Sequence, residues 1–209
     1  MTNNMADLPE LKVEATVPLS SIKELQQLSE QLISHTQPAI QPFAGLQTHL
    51  PLQEVRVAMA EIKVEKRPIK LVTNVGSCVA LCLYDPIHRC GGLAHIMLPT
   101  AMRKLQDYVP GKFADTAVPA LAEAVRRLSG KEAFLSAKIA GGACILPHLS
   151  NNNQHMGEKN VDAVKAALKA HRIKIVAEDI GGSYGRRVEF NIGNGAVTIC
   201  LPNGELREI

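Results

Sequence analysis

The side chains able to do covalent or metal chemistry gather in one short stretch. Cys78, Cys82 and Cys90 fall close together in "NVGSCVALCLYDPIHRC", and His88 and His95 lie beside them. Three readings compete: a metal site, a catalytic thiol, or a core strand using small sulfur side chains. Zinc sites ordinarily offer a C-x₂₋₄-C knuckle on a tight turn. Here "CVALCLY" reads as a strand, in which four residues span about 13 Å. Cys78 and Cys82 so placed cannot share an ion, and no metal or cofactor is expected.

Free cysteine is among the most buried residue types and packs as a small hydrophobe. Cys82, Cys144 and Cys200 sit in or beside apolar strand patterns and read as packing. Cys90 lies in a polar turn and reads as incidental. Cys78 differs, because Gly76 and Ser77 precede it at the start of a strand. A backbone without bulk there leaves room for a substrate and for N–H groups that hold an oxyanion.

A thiol needs a base to reach its thiolate form near neutral pH, and histidine is the usual one. His95 stands in the middle of "GGLAHIMLP", an otherwise apolar run. Alone, such a histidine reads as a satisfied core group, and the nearby cysteine is what makes it a candidate base. His88 and His148 are the alternatives. A hairpin turning at Pro86 to Arg89 puts Cys78 opposite Met97, with His95 two residues along on the same face. A shift by one residue would separate them.

The elements that must carry this pair follow from periodicity. Val55, Val57 and Met59 alternate, and Ile62 and Val64 alternate on the other parity, which predicts a break near Ala60. Ile69–Val75, Cys78–Tyr84 and Leu93–Leu98 read as further strands. Val118, Leu121, Ala122, Val125 and Leu128 form one helix face, with Thr116 as N-cap, Pro119 in the first turn and Gly130 at the end. Leu135–Ala140 is a strand. "GEKNVDAVKAALKAHRI" is a helix with Val161, Val164, Ala167 and Leu168 inward. Ile173–Ala177 is a strand, and Gly193-Asn194-Gly195 joins two more as a hairpin. About eight strands, mostly antiparallel, with two long helices packed on them make a single layered α/β domain over residues 51–209.

Residues 1–50 read differently. Ser21 and Glu24 fit a capping box before Ile22, Leu25, Leu28 and Leu32. Pro38, Pro42, Gly45 and Pro51 then mark an irregular linker. This is an N-terminal extension with an amphipathic helix.

Composition narrows the function. With aromatics at 3% and no tryptophan, the stacking platforms of single-strand binders are missing. The net charge of +3 is too mild and dispersed for a nucleic-acid footprint. No stretch approaches the ~20 apolar residues of a membrane span, and the N-terminus has no secretory pattern. A cytoplasmic protein is expected, its five cysteines thiols rather than a disulfide framework.

"GSCVALCLYDP", "GGLAHIMLP", "GKFADTAVPAL", "AKIAGGA", "GEKNVDAV" and "VAEDIGGSYGRRVEF" resemble, in order, the blocks of the CheD family of chemoreceptor glutamine deamidases. The resemblance runs from about Leu71 to Ile192 and leaves residues 1–50 aside. It implies a fold related to the deamidase domain of cytotoxic necrotizing factor toxins and a Cys-His-Thr catalytic set. Carried over, Cys78 is the nucleophile, His95 the base, and Thr73 the threonine shortly upstream. The implied substrate is a glutamine in the cytoplasmic helices of a methyl-accepting chemoreceptor. Some members also hydrolyse receptor glutamyl methyl esters, and some bind the CheC phosphatase. The competing reading is a non-catalytic module of the same fold that docks on receptors or on CheC.

Overall fold

The computed structural model describes residues 51–101, 109–130, 132–145 and 155–209. The helix and linker expected within residues 1–50 lie outside them, as does His148.

Ten strands and two α-helices run in the order β1 (Glu54–Arg56), β2 (Ile62–Glu65), β3 (Lys70–Val75), β4 (Val79–Asp85), β5 (Cys90–Ile96), α1 (Ala114–Ser129), β6 (Ser136–Gly141), α2 (Met156–Ala170), β7 (Lys174–Ile180), β8 (Arg186–Asn191), β9 (Val197–Cys200) and β10 (Leu206–Glu208) among the described residues. They form two five-stranded sheets, β1-β3-β8-β9-β10 and β2-β5-β4-β6-β7. β1 pairs with β3, and β6 with β7, in parallel. The other pairings are antiparallel.

The sequence of each strand shows its layer. β4 and β5 are apolar almost throughout and buried on both faces. Val79, Leu81, Leu83, Ala94 and Ile96 pack against Val118, Leu121 and Val125 of α1 and Val164 and Leu168 of α2. Ala80, Cys82 and Leu93 point the other way, into a second core with Leu71, Val188, Phe190 and Ile199 of the facing sheet. β8 instead alternates buried and half-buried residues, as expected of a sheet with one solvated face. There Glu189 takes Lys70 and Arg187 as ionic partners. The result is three layers: helices, a central sheet covered on both sides, and an outer sheet. Each fully buried Leu, Ile or Phe in these two cores contributes roughly 1.5–3 kcal/mol.

Most expected elements are present, with three differences. The break at Ala60 is deeper than a bulge: Ala60 takes φ 63°, and β1 and β2 go to different sheets. Thr116 is not the N-cap of α1. The turn Pro110–Lys112 runs straight into the helix, Phe113 occupies the cap, and the Thr116 hydroxyl donates back to the Pro110 carbonyl at 2.7 Å. Cys90 is not at a polar turn either. It opens β5 fully buried, its Sγ 3.1 Å from the Ser129 hydroxyl of α1.

Candidate active site

The chain leaves β3 in the outer sheet and enters β4 in the central sheet through only three residues, Gly76, Ser77 and Cys78. Consecutive carbonyls of this crossing are tied down. Gly76 O accepts from the Ala143 N–H and Cys78 O from the Gly142 N–H, both at 2.8 Å. Between them, Ser77 O accepts from Asn160 Nδ2 at 2.9 Å. Gly141, at φ 116°, makes the approach possible: a Cβ there would stand 2.2 Å from the Cys78 carbonyl oxygen.

The β4–β5 ladder pairs Ala80 with His95 and Val79 with Ile96. This is the register that sets Cys78 opposite Met97 and makes Cys78 and His95 diagonal neighbours. Such neighbours stand about 7–8 Å apart at Cα, within reach of their side chains. Cys78 packs, half-buried, against the core between the sheets, on the same side as Ala80 and Cys82.

His95 is buried at 4% exposure. Its Nδ1 lies 2.8 Å from the hydroxyl of Thr73, a residue of β3 in the facing sheet. That hydroxyl donates its own proton to the Val57 carbonyl at 2.8 Å. It is therefore an acceptor toward the ring, so Nδ1 carries the hydrogen and Nε2 holds a lone pair. Nε2 is buried and has no hydrogen-bond partner among the described residues. The backbone of His95 is also held, by Glu61 O on its N–H and by the Ala60 N–H on its carbonyl, each at 3.0 Å. The residue is thus held at its backbone twice and at its ring once, with one basic nitrogen left available.

Burial sets the resting charges. It pushes the Cys78 thiol up from its ordinary value and the His95 imidazole down. Both shifts favour the neutral forms. The resting pair is thiol and imidazole, where the sequence led to a thiol already brought toward thiolate. Burial pushes Cys82 up further still, which leaves it inert. Cys144 and Cys200 are half-buried: Cys144 follows Ala143, whose N–H binds the Gly76 carbonyl, and Cys200 lines the groove beside the crossing. His88 is occupied elsewhere, its Nδ1 2.9 Å from the buried carboxylate of Asp85 at the far end of the hairpin.

Asn160 is the functional candidate that periodicity passes over. It lies on the apolar stripe of α2, fully buried, and its Nδ2 also donates to Met97 O at 2.9 Å. Its Oδ1 is buried without a partner among the described residues. Two bonds of about 1 kcal/mol each against one buried orphan acceptor costing about 1–3 kcal/mol leave its net effect on folding near zero. A carboxamide in the middle of an amphipathic stripe was the available signal. A groove of about 560 Å³ opens beside the crossing, lined by Asn74, Gly76, Ile145, Arg187, Leu201 and Pro202 among others.

A half-buried thiol on the same sheet face as an oriented imidazole is an arrangement suited to thiol acyl transfer. Known proteins point the same way. Residues 97–200 match the family model described as CheD chemotactic sensory transduction. The chain is 41% identical over 158 residues to a probable chemoreceptor glutamine deamidase CheD of Desulforamulus reducens, covering 75% of this chain and 95% of that protein. A match of that breadth in a 209-residue chain necessarily spans Thr73 through His95. It is 45% identical over 149 residues to a probable chemoreceptor glutamine deamidase CheD of Methanococcus vannielii, covering 71% and 96%. It is 41% identical over 158 residues to the chemoreceptor glutamine deamidase CheD of Thermotoga maritima, covering 73% and 98%. By this breadth of identity, the chain belongs to the CheD family.

Proposed function

We propose that this protein hydrolyses the side-chain carboxamide of glutamine residues in chemoreceptor cytoplasmic helices, with Cys78 as nucleophile, His95 as base and Thr73 orienting the base. The observation that carries the reading is the Thr73–His95 bond, which leaves Nε2 unprotonated on the face that Cys78 shares.

The steps follow from the resting charges. Nε2 takes the thiol proton as Sγ bonds to the carboxamide carbon, so a thiolate need not exist beforehand. The carbonyl π electrons move to oxygen, and N–H groups of the Gly76–Cys78 crossing receive the oxyanion. The imidazolium returns the proton to nitrogen as the C–N bond breaks, releasing ammonia and a thioester. His95 then removes a proton from water, the hydroxide adds to the thioester carbon, and the C–S bond breaks. Glutamate and the free thiol result. Gly76 and Ser77 act through backbone only, and Ile145 packs against Gly76 where a Cβ would stand.

The groove beside the crossing seats the segment that carries the glutamine. Residues 51–209 are the catalytic domain in this reading, and residues 1–50 are an extension outside the chemistry. The site of action is the cytoplasm, where the receptor helices are. A CheC phosphatase as second partner, and kinship with the cytotoxic necrotizing factor deamidases, belong to the same proposal on the family resemblance.

The test is mass spectrometry of receptor cytoplasmic fragments after incubation with the protein. Conversion of specific glutamines to glutamate by wild type, and none by Cys78→Ala, is the expected result; loss of methyl esters registers separately. Unchanged fragments that nonetheless bind would make the protein a docking module.

A further inference from the structure

We infer that Asn160 is a positioning residue for the reaction at Cys78: its carboxamide holds the Ser77–Cys78 peptide so that the Cys78 N–H faces the reacting carbonyl oxygen. The inference rests on Cys78 being the nucleophile.

Asn160 reaches up from α2 and spends both Nδ2 hydrogens on carbonyls at 2.9 Å, those of Ser77 and Met97. Both partners are acceptors, so the amide has only one orientation that serves them. Ser77 immediately precedes the nucleophile. Met97 follows β5 and stands opposite Cys78 in the register. One side chain therefore clamps together the two strand ends that bear Cys78 and His95. A peptide unit is planar and trans, with its C=O and N–H pointing in opposite directions. Holding the Ser77 oxygen toward α2 turns the Cys78 N–H away from the helix layer, toward the side open to substrate. The neighbouring carbonyls are held by backbone N–H groups. Asn160 supplies the only side-chain anchor in the crossing among the described residues.

Its place is poorly explained by folding alone. The residue is fully buried, yet its Oδ1 has no partner among the described residues. The bonds made and the acceptor stranded nearly cancel, so the orientation of the Ser77–Cys78 peptide is what the carboxamide contributes.

The experiment compares receptor-glutamine deamidation by full-length wild type, Asn160→Ala, Val164→Ala and Cys78→Ala, well below the melting temperature of each. Asn160→Ala should lower kcat by about tenfold or more, as expected when an oxyanion donor is misaligned, with KM within about twofold. Val164→Ala, one turn along the same helix, opens a cavity in the core without touching the crossing. It should lower the melting temperature at least as much and leave kcat within about twofold. Should Asn160→Ala not fold, Asn160→Ser, which keeps one donor, gives the same readout. If the Asn160 variants match Val164→Ala in kcat while Cys78→Ala is dead, the positioning role is overturned and the nucleophile stands. Activity in Cys78→Ala overturns the underlying reading instead.

Discussion

The Thr73 hydroxyl stands 2.8 Å from His95 Nδ1 and donates its proton to the Val57 carbonyl. One oxygen in the outer sheet thus chooses the tautomer of a ring in the central sheet. The buried setting makes that choice binding, because a flipped tautomer would leave two acceptors facing each other.

Thr73→Val keeps the shape and removes the hydroxyl. It leaves both Val57 O and His95 Nδ1 without their partner, at a cost of about 1–3 kcal/mol. Turnover should fall about 10- to 100-fold, short of the full contribution of a general base. Thr73→Ser should restore most of it. Urea melts and steady-state kinetics on the two variants check this, and equal activities would remove Thr73 from the site.

Alkylation of Cys78 should not plateau near neutral pH, and it should proceed alongside that of Cys144 and Cys200, which are also half-buried. Burial holds the Cys78 thiol above the ordinary value of 9.0, so the thiolate fraction keeps growing through that pH. Cys82 and Cys90 are buried and should react only after unfolding. Limited iodoacetamide with peptide mapping between pH 6 and 10 measures it. A plateau below pH 8 would mean a resting thiolate–imidazolium pair.

His95 should make the fold acid-sensitive before any carboxylate titrates. Its pKa is depressed below 6.5 in the folded protein, so the unfolded chain binds this proton more readily. Stability therefore rises with pH in this window and is lost as pH falls below 6.5. The loss approaches about 1.4 kcal/mol per pH unit until the native value is reached. His95→Gln has no such titration, so the difference between its urea midpoint and that of wild type should change between pH 7.5 and 5.5. A constant difference would falsify the assignment of a depressed His95.

Gly141→Ala should damage activity and stability together. The φ of 116° suits glycine, and the added Cβ would collide with the Cys78 carbonyl oxygen, which is backbone and cannot swing aside. A loss of at least about 1–3 kcal/mol is expected, along with most of the turnover. Gly130→Ala has open space around it and should cost stability through φ alone, with turnover kept.

Removal of residues 1–50 should leave deamidation intact. The relatives are covered almost end to end, at 95% and 98%, by about three quarters of this chain. Loss of turnover in the shortened protein with a native circular dichroism spectrum would give the extension a part in the site.

Local patterning accounts for much of this molecule. The apolar runs at Cys78–Tyr84 and Leu93–Leu98 marked the strands β4 and β5, and the Val161, Val164 and Leu168 stripe marked α2. Cys78 after Gly-Ser and His95 in an apolar run were legible as candidates because their chemistry is unusual for their surroundings. The turn at Pro86 to Arg89 allowed the register that brings them together, and the β4–β5 pairing decided it, since a shift of one residue would have separated them. Other features were out of reach of any such reading. That β1 and β2 join different sheets depends on β3 and β5, which pair with them across the fold. That Thr73 meets His95 depends on two sheets stacking face to face, and that Asn160 meets Ser77 depends on how α2 lies on the central sheet. Periodicity reports only which face of an element is buried. Which partner covers that face is settled by packing and hydrogen bonds between residues far apart in the chain, so the polar contacts that orient the base and the nucleophile exist only once the layers have come together.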